Sequence, residues 1–133
     1  MCGAGQAHLA FYQALEQSGQ VYRVPGLLAS SFEKKVAIGF MARVGSQQPK
    51  VLFTIKLKDP NDFDGGCKQV NFLEKTTYGS EREFLFSAYS TFRVLGVTPS
   101  ADPANASTPW QITIEAATDN SKNPEDVPSA PWY

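Results

Sequence analysis

The sequence predicts an α+β domain of mixed, mostly antiparallel strands, with two helices near the N-terminus. Three observations carry this. Residues 7–17 and 33–41 space their apolar side chains at helical intervals. Beyond residue 50 the chain turns to short β-rich runs parted by Gly, Pro, Asn and Asp. One of these runs, Trp110 to Ala116, alternates apolar and polar residues as a half-buried strand does.

Taken in order, Met1 to Gln6 is small and glycine-rich but forms no complete phosphate-binding fingerprint. From Ala7 to Gln17, Leu9, Ala10, Tyr12, Ala14 and Leu15 make one helical face, and Ser18-Gly19 ends it. Gln20 to Val24 alternates as a short strand, broken by Pro25-Gly26. Ser31 is placed to cap a second helix, whose apolar stripe is Val36, Ala37, Phe40 and Met41. Strands are expected at Val51 to Leu57, Lys68 to Leu73, Glu83 to Phe86, Thr91 to Val97 and Trp110 to Ala116. Residues 1–117 form the domain, and 118–133 is a polar, proline-rich tail lying on the surface or disordered.

The totals narrow the function. At 133 residues, 42% hydrophobic, the chain suits one globular domain. A net charge of −1 gives no electrostatic case for nucleic acid. No apolar run approaches the about 20 residues of a membrane span, and no basic-then-apolar leader opens the chain. Cys2 and Cys67 have no metal-ligand spacing and read as free thiols, so a cytoplasmic location and no metal are expected. His8 has no catalytic partner in sequence and reads as a surface or capping residue.

One stretch departs from ordinary fold chemistry. In Tyr78-Gly79-Ser80-Glu81-Arg82-Glu83, the two acids stand at i and i+2, before the apolar run Phe84-Leu85-Phe86. In an extended segment such residues share one face. Like charges so close repel, whereas a site that stabilises a developing cation uses them. The plainer reading is a pair of solvent-facing acids flanking Arg82.

Two blocks together resemble mono-ADP-ribosyltransferases of the arginine-modifying kind. That family carries an arginine on one strand, Ser-Thr-Ser on the next, and Glu-x-Glu later. Ala29-Ser30-Ser31, then Phe32 and a helix with Val36, Ala37 and Phe40, resembles the second motif. Glu81-Arg82-Glu83, with Tyr78 three residues ahead, resembles the third, and the match spans Gly26 to Val97. Two positions depart from the pattern. Ala29 stands where the family has its first serine. Cys2 stands near the arginine position, and Arg23, the nearest upstream arginine, lies on the strand leading into the serines.

The resemblance implies NAD as a substrate and a protein arginine as the acceptor, with the chain acting as a monomer. It makes Glu83 the carboxylate that stabilises the ribosyl cation and Glu81 the group that orients and deprotonates the acceptor. Ser30, Ser31 and Phe32 are implied to hold the nicotinamide end of NAD, and Tyr78 to recognise the target. Ala29 and the displaced arginine favour an alternative: an impaired relative that binds NAD or serves as an interaction module. A third reading is a domain lacking its N-terminal strand.

Overall fold

The computed structural model describes residues 6–43, 49–57, 70–72, 82–103, 105, 107–117, 120–122 and 126–131. Cys2, Cys67, Tyr78 and Glu81 lie outside them.

Helix α1 spans Gln6–Ser18. Leu9, Tyr12 and Leu15 recur at helical spacing, and all three are buried. The helix stops at Gly19, whose φ of 66° is the left-handed conformation that a glycine terminator adopts, with its N–H returned to Leu15 O at 3.0 Å. The same strand–turn chemistry then yields β1 (Val21–Val24), β2 (Leu28–Ser31), helix α2 (Lys34–Ala42) and β3 (Val51–Lys56). After these come β4 (Val70–Phe72), β5 (Glu83–Phe86), β6 (Ser90–Thr98) and β7 (Trp110–Ala116).

The strands form two sheets. One has four strands in the order β1-β6-β7-β3, the other three in the order β2-β5-β4. All pairings are antiparallel except β3 with β7. The fold is therefore α+β with mixed, mostly antiparallel sheets, as expected. Between β6 and β7 the register shifts at Val94/Gly96, leaving Leu95 out of the ladder on a bulge.

A chain of aromatic rings joins the layers. Tyr12 of α1 meets Tyr22 of β1 at 5.7 Å, and Tyr22 meets its cross-strand neighbour Phe92 at 6.0 Å. Phe92 meets Phe86 of the other sheet edge-on at 5.2 Å, and Phe86 meets Phe84 at 5.0 Å. Phe84 in turn meets Phe32 at 5.3 Å. Each such pair adds about 0.5–1.5 kcal/mol beyond the area it buries. Phe84 and Phe86 share one face of β5, so their anchoring turns Glu83 and Leu85 to the other face. The core thus sets the direction in which Glu83 points.

Two expectations need correcting. Ser31 does not cap α2: the residue before the helix is Glu33, and Ser31 is the last residue of β2. Its hydroxyl accepts the Glu33 N–H at 3.0 Å, a local turn that ends the strand. Secondly, the serines have a strand of their own, distinct from the one carrying Arg23. Pro25-Gly26 breaks the chain between β1 and β2, which belong to different sheets. Part of the segment after residue 117, expected on the surface or disordered, lies against β1. Arg23 N–H donates to Pro128 O at 2.8 Å, Ala130 N–H donates to Arg23 O at 2.7 Å, and Ala130 is buried.

Candidate active-site cleft

The antiparallel ladder of β2 and β5 sets Ser31 opposite Glu83, Ser30 opposite Phe84 and Ala29 opposite Leu85. Directly opposed residues share a face. Glu83, Ser31 and Ala29 therefore point one way, while Ser30 and Leu28 share the face of Phe84 and Phe86. Ser30 Oγ donates to Phe84 O at 2.8 Å and fastens the two strands at the level of the acid.

Glu83 lines a cavity of about 240 Å3 with Ala29, Ser30 and Ser31; Val36, Ala37 and Phe40 of α2 form its other wall. The apolar stripe of α2 is thus divided in use. Met41 is buried, while Phe40 is 48% exposed and stands at the cavity. A second cavity of about 400 Å3 lies against the same strand, bounded by Leu28, Phe84 and Phe86 on one side and by Val51 to Ile55 of β3 on the other. The two share Ala29, Ser30, Ser31 and Ala37 in their walls, so they adjoin along β2. Volumes of a few hundred Å3 are those of small-molecule sites.

The approach to Glu83 is held by a small clasp. Arg82 Nη1 pairs with Glu33 Oε1 at 3.2 Å, and its guanidinium stands 5.9 Å from the centre of the Phe32 ring. Phe32 N–H donates to Arg82 O at 3.3 Å. Arg82 has φ 43°, a left-handed conformation uncommon for a residue with a side chain. This clasp joins the entry of β5 to the start of α2. Phe32 is otherwise 54% exposed and lines the larger cavity.

Sequence reasoning missed Ala29, Val36, Ala37 and Phe40 as wall residues and Lys34 as a lining residue of the larger cavity. A helical stripe read only as core-facing gave no signal that part of it bounds a cavity. Arg23 stands elsewhere. Its guanidinium donates to Tyr89 O at 3.0 Å, Thr91 Oγ1 at 2.9 Å and Asn120 O at 3.2 Å. It is not among the described lining residues of either cavity. Among the described residues no cluster of three or more His, Cys, Asp or Glu is placed to hold a metal ion. No described helix is long and apolar enough to cross a membrane.

The sequence matches no family model and no curated protein. Solved structures do match. ADP-ribosyltransferase HopU1 of Pseudomonas syringae pv. Tomato DC3000 superposes with a TM-score of 0.62 at 14% identity, over 87% of this chain and 42% of that one. The chain has the ADP-ribosyltransferase fold. ADP-ribosyltransferase Vis, from Vibrio splendidus, matches with a TM-score of 0.54 at 19% identity in its complex with agmatine. Its complex with an inhibitor gives 0.55 at 20%. Both cover 83% of this chain and 46% of Vis, so the chain spans less than half the length of these proteins. In this fold strand β1, which carries Arg23, directly precedes the serine strand β2.

Proposed function

We propose that the chain transfers ADP-ribose from NAD to a guanidinium group, that of an arginine on a protein. The observation that carries this is the Glu83 carboxylate opposite Ser31, in a cavity closed by α2. The ADP-ribosyltransferase fold supports it, and Vis, which shares the fold, has been captured with agmatine, a guanidinium compound.

The chemistry follows from charge. The bond between ribose C1 and the pyridine nitrogen breaks, and nicotinamide leaves with the electron pair. Positive charge then develops on the ribose, as in glycoside cleavage. Glu83, fixed in direction by its neighbours Phe84 and Phe86, supplies the opposing charge. An acceptor nitrogen attacks C1, and Glu81 takes its proton. Ser30, Ser31 and Phe32 hold the nicotinamide end, and Tyr78 meets the target. Residence in the cytoplasm and action as a monomer belong to the same reading.

A second reading is a weakened enzyme that mainly binds. Its support is the methyl group of Ala29 in the wall beside Glu83, where a hydroxyl would have offered the carboxylate a hydrogen bond. Nicotinamide release from NAD, measured with and without agmatine, separates the two. Transfer predicts release stimulated by agmatine and lowered roughly 100-fold or more by Glu83→Gln, the scale of losing one electrostatic stabiliser. Glu81→Gln should keep NAD hydrolysis but lose the stimulation. Undiminished release in Glu83→Gln would sink the assignment, and NAD binding without release would favour the second reading.

A further inference from the structure

The net charge of −1 conceals a segregation. Half of the chain's 12 basic residues and none of its 13 acidic ones fall between positions 34 and 58. Three of these cations, Lys34, Lys35 and Arg43, belong to α2 and its C-terminal cap, and no acid stands on the helix. At ~100° per residue the helix divides lengthwise. Val36, Ala37, Phe40 and Met41 form the side turned to the two cavities. Lys34, Ile38, Ala42, Lys35, Gly39 and Arg43 form the other half, and all six are exposed. From this we propose that the outward half of α2 docks the acceptor protein and selects an arginine set among acidic residues. The inference rests on the reading of arginine transfer and names its substrate class.

Placement chooses the partner. This surface is the back of the wall that closes the Glu83 cavity. Its cations reach the margins of that wall. The Arg43 guanidinium lies 5.3 Å from the centre of the Phe40 ring, which lines the smaller cavity, and Lys34 borders the larger one. The neighbouring acids are committed: Glu33 pairs with Arg82 at 3.2 Å, and Glu83 lies in the cavity. An arriving guanidinium therefore meets a negative centre beside a positive helix. Basic residues around it are repelled by α2 and acidic ones attracted, while the guanidinium itself is drawn to Glu83. Ile38, exposed amid the cations, gives the contact the apolar centre that protein interfaces have. A nucleic-acid backbone or a lipid surface could meet the cations, but neither brings an arginine to the cavity beside them.

The test uses three peptides, each holding one arginine, flanked by Asp and Glu, by Ser and Asn, or by Lys. Transfer of ADP-ribose to each is measured by mass spectrometry and divided by the transfer to agmatine, which has no flanks, in the same variant. Wild type should favour the acidic peptide over the neutral one roughly tenfold, the scale of two or three exposed ion pairs. The difference should lie in KM and fade as salt rises from about 0.05 to about 0.5 M. Lys35→Gln with Arg43→Gln should flatten the preference, and Lys35→Glu with Arg43→Glu should turn it toward the lysine-flanked peptide. Equal use of the three peptides by wild type overturns the inference and leaves arginine transfer standing. Fluorescence anisotropy of the labelled acidic peptide reads docking without chemistry. Charge-dependent binding with no transfer to agmatine or peptide keeps the surface and removes the reaction. Retention on phosphatidylserine vesicles or on RNA, with no preference among the peptides, overturns the inference by giving the face to another partner.

Discussion

Arg82 offers a test in which two variants lose the same contacts and differ only in backbone. Its side chain contributes an ion pair to Glu33 and a cation–aromatic contact to Phe32. The Arg82 side chain is 58% exposed, so after solvent screening the ion pair is worth about 0.5 kcal/mol, and the ring contact adds about 0.5 kcal/mol. Arg82→Ala keeps φ at 43° and loses both, about 1 kcal/mol in all. Arg82→Gly loses them too but escapes the about 1–2 kcal/mol that a Cβ costs in the left-handed region. Greater freedom of the unfolded chain returns about 0.4–1 kcal/mol of that gain. The glycine variant should therefore equal wild type to within about 0.5 kcal/mol and exceed the alanine variant by about 1 kcal/mol. Urea unfolding followed by circular dichroism reads this as a midpoint difference of roughly 0.5 M at unchanged slope. An alanine variant as stable as the glycine variant would mean that residue 82 is not held in the left-handed conformation.

Arg23→Met should cost about 2–3 kcal/mol, because it strands Tyr89 O, Thr91 Oγ1 and Asn120 O, and limited proteolysis should cut first between residues 117 and 131. Arg23→Lys, a point charge without the planar fork, should recover only part of this, and full protection in Arg23→Met would refute the assigned role. Burial, with the neighbouring Tyr12 adding to it, raises the Tyr22 phenol well above its ordinary value. Its stabilising contribution is full below the unfolded value of about pH 10 and falls away as pH climbs through the raised folded value. Unfolding midpoints should drop steeply above about pH 10 and less steeply in Tyr22→Phe, and a flat profile to pH 11 would contradict this.

Much of the fold is legible in the residues because periodicity and burial agree. Leu9, Tyr12 and Leu15 announce α1, and the alternation in Trp110 to Ala116 announces β7, whose Ile112, Ile114 and Ala116 are buried. Strand β2 is not legible. Leu28-Ala29-Ser30-Ser31 shows no alternation, because both of its faces border cavities rather than core on one side and solvent on the other. The break at Pro25-Gly26 was legible, but not that it sends the strand of Arg23 and the strand of the serines into different sheets. Glu83 was readable because two acids at i and i+2 before an apolar run have few structural uses.

The pairings of β1 with β6 and of β3 with β7 have a consequence for biosynthesis. Each joins a strand from the early part of the chain to one made long afterwards. On the ribosome, β1 lacks its partner until residue 98 has cleared the exit tunnel, and β3 lacks its partner until residue 116 has done so. Such distant closures are slow to form and leave sticky intermediates. A nascent chain stalled before β7 should therefore recruit chaperones, whereas one released beyond it should not.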